Sequence, residues 1–265
     1  TDTRLTVTTG FARNSQEARN PGLTEGLVGH WDFSLGATGD TVHDISGRGK
    51  NGTTTNDPTW LPDGMRFNGS SQYATLGVIS EIQGITTFSF AIWLRLDALG
   101  VIQYVFNNDG AGDQTFLFMT QVNNRLRLVV YTSDGDGSAV GTLETTDNEW
   151  HLFVGTYDGA AVNLYRDGVV HDETPPALTG TTDVSSNVVR IGARGHLTTP
   201  ANYFDGDVAA AAVWNRALTP SEIQTLYEDQ QALIRKPTKV YFFDVGGEPA
   251  SSSSSSTSSS SSSAV

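Results

Sequence analysis

The stretch TTFSFAIWLRL, residues 86–96, sets the fold class. Phe88, Phe90, Ile92, Leu94 and Leu96 fall on one side of a period-two pattern. Ser89, Ala91, Trp93 and Arg95 fall on the other. That alternation is a strand with one face in a core, not a helix. NRLRLVVYT (124–132) repeats the device, with Leu126, Leu128 and Val130 opposite Arg125, Arg127 and Val129. WHLFVGTYDG (150–159) and VNLYRDGVV (162–170) follow. In the latter, Asp167-Gly168 separates two apolar runs, the signature of a tight hairpin. Roughly a dozen such segments, broken by Gly, Asn and Asp clusters, predict an all-β sandwich or jelly roll of two antiparallel sheets.

One short helix is expected late in the chain. TPSE (219–222) sets Thr219 at the N-cap, Pro220 at N1 and Glu222 at N3, a capping box. Ile223, Leu226 and Tyr227 then share one face to about Asp229. Just before it lies Ala209–Ala212. Alanine is the best helix former, and periodicity alone leaves helix and core strand both open.

The 265 residues carry a formal charge of −13 and no cysteine. That charge disfavours nucleic acid and anionic membranes as partners. The missing cysteine excludes disulfides, Cys-ligated zinc and thiol catalysis. No apolar run reaches membrane-spanning length, so membrane insertion is not expected. Composition divides the chain into an arm (1–22), a body (23–229), an extension with one strand (230–250) and a serine tail (251–265). Within the extension, Tyr241, Phe242 and Phe243 are candidate assembly contacts. The tail reads as flexible linker, glycosylated stalk or arm ordered within an assembly.

A series of segments carries a family likeness: GLVGHWDF, HDISGRGKNG, MRFNGSSQYATLG, FSFAIWLRL, EWHLFVGTYDGAAVNLYRDGVV, RIGA and FDGDVAAAAVWNRALTPSEIQTLYE. In this order, over about residues 26–228, they resemble the LamG-like branch of the concanavalin A-like lectin/glucanase superfamily. The resemblance implies a jelly roll that acts mostly in binding and adhesion, toward glycans or protein surfaces, with calcium at the rim in many members. ALIRKPTKVYFF is similar to the tails of LamG-like proteins of phages and environmental bacteria. By the same resemblance the alanine run is a late strand, and Ala209 and Ala210 stand where relatives carry an acidic pair. Trp31, Trp93 and Trp150 fall at positions that usually pack inside.

Glycoside hydrolysis needs two carboxylates about 5–10 Å apart. No strand carries the E-x-D-x-x-E spacing of the glucanase relatives, and Glu144, Glu149 and Glu173 stand alone. No G-x-S-x-G elbow accompanies the scattered histidines. Calcium is a candidate ion, because three loops hold clustered oxygens: Asn107, Asn108, Asp109 and Asp113; Asp134 and Asp136; Asp205 and Asp207. The competing reading is ordinary Asp-Gly turn chemistry. For a sugar platform the surface candidates are Trp60, Tyr104, Tyr131 and Tyr203, with Tyr73 beside them.

The expectation is therefore a binding module without catalysis. It recognises carbohydrate or a protein surface and is displayed outside the cell or on a virion. The first alternative is a structural decoration of a phage particle, contacting copies of itself or capsid and tail proteins. The remote one is a glycoside hydrolase.

Overall fold

In the computed structural model, residues 20–36, 38–109, 114–142, 148–172, 177–195 and 200–229 are described. Tyr241, Phe242, Phe243, Asp113 and the serine tail lie outside them. In chain order the elements are α1 (Pro21–Thr24), β1 (Leu27–Asp32), β2 (Thr41–Val42), β3 (Gly52–Thr55), β4 (Thr59–Leu61) and β5 (Gly64–Asn68). Next come β6 (Tyr73–Thr75), β7 (Phe88–Leu96), β8 (Tyr104–Asn107), β9 (Phe116–Thr120), β10 (Leu126–Thr132) and β11 (Gly135–Val140). The last are β12 (His151–Tyr157), β13 (Val162–Arg166), β14 (Val169–Val170), β15 (Arg190–Ile191), β16 (Asp205–Trp214) and α2 (Pro220–Glu228).

The strands form two antiparallel sheets, as the alternation predicts. The first runs β14-β13-β12-β7-β16-β5-β4, with β1 also on β16. The second runs β11-β10-β9-β8-β15-β6-β3-β2. There are more strands than the pattern foretold, because β2, β14 and β15 have only two residues each. Segments that short carry no readable period.

The core lies between the sheets. Phe88, Phe90, Ile92, Leu94 and Leu96 of β7 all enter it, facing Phe106, Phe116, Phe118, Leu128 and Val130 of the other sheet. Phe90 stacks on Phe116 at 5.5 Å between ring centroids and meets Phe106 edge-on. Gly155 of β12 is needed here, since a Cβ would lie 2.3 Å from the Phe90 ring.

The alanine run is strand. Along β16 the bulge between Val208 and Ala210 marks a change of partner: residues 205–208 pair with β5 and 210–214 with β1.

Ala91, Leu152, Ala212 and Trp214 line the outer face of the first sheet, and α2 covers them with Ile223 and Leu226. The capping box is present as expected: Thr219 Oγ1 accepts from the Glu222 N–H, and Glu222 Oε2 accepts from the Thr219 N–H at 2.9 Å. Glu222 also holds Arg216, whose Nη2 reaches the Gly22 carbonyl and so ties α1 to α2. Asp167 and Gly168 both have positive φ, 53° and 84°, as a two-residue hairpin demands.

Candidate functional site

The outer face of the second sheet carries the richest side-chain chemistry. Strand register sets it out in rows. Arg127 pairs with Val140 on one side and Met119 on the other, and Met119 pairs with Tyr104. In the next row Ser138, Val129, Leu117, Asn107, Arg190 and Thr75 follow one another across the strands. Tyr131 pairs with Asp136 beyond them. Neighbours at alternate positions, such as Phe106, Leu128 and Ile191, point into the core, so these residues point out.

Tyr104, Leu117, Met119 and Val129 form a small apolar cluster with Tyr131 against it. Around that floor stand polar groups. The Arg194 guanidinium lies 5.1 Å above the Tyr104 ring and pairs with the Asp109 carboxylate. The second oxygen of Asp109, Oδ1, is buried and has no hydrogen-bond partner among the described residues. The Asp109 backbone N–H donates to Asn107 Oδ1, and Asn107 Nδ2 donates to the Ala193 carbonyl at 3.0 Å. Arg190 lies 5.8 Å from the Tyr73 ring centroid. Burial raises the Tyr104 hydroxyl above its ordinary pKa against the pull of Arg194. Burial, then Asp136 and Asp109, raise that of Tyr131. Both hydroxyls therefore stay protonated near neutral pH and can donate hydrogen bonds.

Two of the four aromatic candidates thus meet on one face. Tyr104 departs from the surface position expected of it: it is 6% exposed, because Arg194 and Met119 pack on it. Tyr131 is half-buried beside it. Trp60 sits on the other sheet in β4, where its Nε1 donates to the Gly39 carbonyl at 3.3 Å. Tyr203 is half-buried just before β16. Trp150, expected inside, is instead half-buried with Arg95 stacked 5.1 Å from its ring and Nε1 donating to Asp63. Trp31 is fully buried, and Trp93 is half-buried under Tyr227.

Three of the acidic candidates, Asp109, Asp134 and Asp207, already have side-chain partners. Asp207 sits between Arg66 of β5 and Arg95 of β7 in register and pairs with both. Its side chain is fully buried. Burial works to raise its pKa, yet the hydrogen bonds from Arg66 and Arg95 win and hold it below the carboxylate range. For Asp109 and Asp207 a guanidinium already stands where a calcium ion would have to be. Asp134 accepts from Ser133 and Thr179. Asp205 has its pKa raised by burial and by Asp97. Among the described residues no group of three or more His, Asp or Glu is arranged to hold a metal ion.

The arginines were the part that sequence reading missed. Arg127 shows there only as the outer side of a strand, and RIGARG (190–195) only as a family segment. The usable signal was an arginine alternating with core residues on more than one strand.

Residues 68–224 match the family model described as the concanavalin A-like lectin/glucanases superfamily. No curated protein sequence matches the chain. Among solved structures, Trypanosoma rangeli sialidase in complex with sialic acid is similar at 21% identity and a TM-score of 0.58, over 78% of this chain and 33% of that one. The binding domain of Paraclostridial Mosquitocidal Protein 1 is similar at 17% identity and a TM-score of 0.63, over 77% of this chain and 52% of that one. Botulinum neurotoxin type C, whose cell entry depends upon interaction with two ganglioside molecules, is similar at 12% identity and a TM-score of 0.63, over 78% of this chain and 52% of that one. The chain thus spans a third to a half of these proteins' length.

Proposed function

This chain belongs to the concanavalin A-like lectin/glucanases superfamily, and from that membership we propose that it binds carbohydrate without cleaving it. The ligand lies on the outer face of the second sheet. One observation carries the reading: half-buried Tyr131 stands over the buried cluster of Tyr104, Leu117, Met119 and Val129, with Arg127, Arg190 and the Arg194–Asp109 pair on the same face. A sugar ring needs an aromatic face for its C–H surface, which Tyr131 offers, and fixed donors and acceptors for its hydroxyls, which the arginines and Asp109 supply.

The non-catalytic part rests on the carboxylates. A glycosidase keeps one as a proton donor and one as a nucleophile or base. Asp109 is paired with Arg194, which already occupies one of its oxygens. Glu149 is exposed beside Trp150, away from this face. Complexes of the structural neighbours with sialic acid and gangliosides fit a carbohydrate partner. An extracellular, cell-surface or virion setting, with display on a larger assembly, belongs to the same proposal.

Titration of a panel of neutral and acidic oligosaccharides by calorimetry tests it. At least one class binds, and Tyr104→Ala and Tyr131→Ala each weaken it about tenfold, near 1.4 kcal/mol. Silence across the whole panel overturns the binding reading. Release of reducing ends from any bound chain overturns the non-catalytic one.

A further inference from the structure

The same face carries positive charge that its own carboxylates do not balance. Arg194 is neutralised by Asp109. Arg127 and Arg190 pair with no carboxylate among the described residues, although the chain as a whole is at −13. The Nε atoms of Arg127 and Arg190 are buried and have no hydrogen-bond partner among the described residues. An uncompensated guanidinium on a sheet face costs free energy that a bound anion returns.

The two arginines face opposite ways. Arg127 Nη2 donates to Ser138 Oγ of β11 at 3.1 Å. Arg190 Nη1 donates to the Gly195 carbonyl at 2.7 Å, and its guanidinium lies toward Tyr73 of β6. In the order β11-β10-β9-β8-β15-β6 each arginine leans toward the strand on its far side. Three strand steps separate β10 from β15, about 14 Å at the usual spacing. No single carboxylate bridges that distance. Between them lie the apolar floor and the neutral Arg194–Asp109 pair.

Resting on the carbohydrate reading above, we propose that the ligand is an extended acidic polysaccharide segment. It lies across the strands, with one uronate-type carboxylate at Arg127 and another at Arg190. The planar guanidinium fork matches a carboxylate, and the neutral Arg194–Asp109 pair over the buried cluster offers hydrogen-bonding groups to the hydroxyls of the sugar between. Gly195 belongs to this device. A Cβ there would lie 1.8 Å from Arg190 Nη1, so a side chain at this position would displace the guanidinium from where it now rests.

Calorimetry with hexameric uronate chains (oligogalacturonate and oligomannuronate), their monomers, neutral hexamers (cellohexaose and maltohexaose) and a heparin hexamer tests the proposal. A uronate hexamer is expected to bind at least about tenfold more tightly than its monomer and than either neutral hexamer, weakening as salt rises. Arg127→Gln and Arg190→Gln each weaken the uronate hexamer about five- to tenfold, and the lysine variants weaken it less. Thermal melting verifies that each variant is folded. Monomers that bind as tightly as hexamers, glutamine variants that bind like the parent, or a heparin hexamer that outbinds the uronates overturn the proposal. Neutral hexamers that bind equally well, and lose affinity in Tyr104→Ala, overturn it while leaving the carbohydrate reading standing. No binding by any sugar overturns both.

Discussion

The outer faces of the two sheets are built from the same kind of residues and finished differently. On the first, α2 lies over the apolar side chains, and the charged ones are closed among themselves: Asp207 sits between Arg66 and Arg95, and Arg66 also meets Asp97 at 2.5 Å. On the second, no described helix lies over Tyr104, Leu117, Met119 and Val129, and Arg127 and Arg190 have no carboxylate among the described residues. The contrast separates stability from recognition. A covered, internally neutralised face contributes to folding. A face that carries unbalanced charge over its buried apolar cluster is the one the proposal gives to a ligand.

The largest expected effect tests the closed face. Asp207→Ala leaves two facing arginines without their shared partner and lowers stability by about 3 kcal/mol, the low end for a broken buried pair because both arginines keep some water. Chemical denaturation measures it. A loss under about 1 kcal/mol would break the comparison, since the closed triplet would then be as dispensable as an exposed pair.

The second effect appears on acidification. His30 of β1 sits beneath the cover, beside Ala210, Trp93 and Leu226, and burial lowers its pKa to about 4 against the charges of Asp32 and Asp44. Its folded pKa lies below the unfolded 6.5, so the unfolded chain takes up the proton first. Stability is unaffected above about pH 6.5 and falls as pH drops from there toward 4, by about 3 kcal/mol in all. His30→Gln flattens that part of the pH–stability curve. Asp207 and its arginines act in the same direction at lower pH, their contribution fully present above the ordinary carboxylate pKa and lost in stronger acid.

A smaller effect sharpens the cover itself. Thr219→Ala removes the cap of α2 and costs about 1 kcal/mol. It also weakens the stacking of Tyr227 on Trp93, 6.0 Å apart, which tryptophan fluorescence reports. The smallest effect is the matching one on the open face. Arg127→Gln changes stability by no more than about 0.5 kcal/mol while ligand affinity falls, because its guanidinium is held by one hydrogen bond to Ser138. A loss of stability equal to that of Asp207→Ala would remove the distinction between the faces.

The two faces were not equally legible. The alternation in residues 86–96 and the capping box at 219–222 foretold β7 and α2, because both patterns are local and dense. The aromatic pair Tyr104 and Tyr131 could be singled out as candidates, yet nothing local says that they meet. They meet because β8, β9 and β10 lie side by side. Arg190 joins them only because β15 enters between β8 and β6, strands that lie far from it in the chain. A two-residue strand has no periodicity, and insertion order is a property of the whole sandwich. Asp207 misled for the same reason. As FDGD it reads as an oxygen ligand, and only strand pairing reveals its two arginines.

The strand Asp205–Trp214 also sets the timetable of folding. It hydrogen-bonds to β1, β5 and β7, segments that leave the ribosome more than a hundred residues earlier. Until it arrives, all three present open edges, and the first sheet cannot close. So non-local a keystone makes for slow assembly, with a long interval in which unpaired edges are exposed to neighbouring chains. A nascent chain stopped short of Trp214 is therefore expected to aggregate more readily than the full chain.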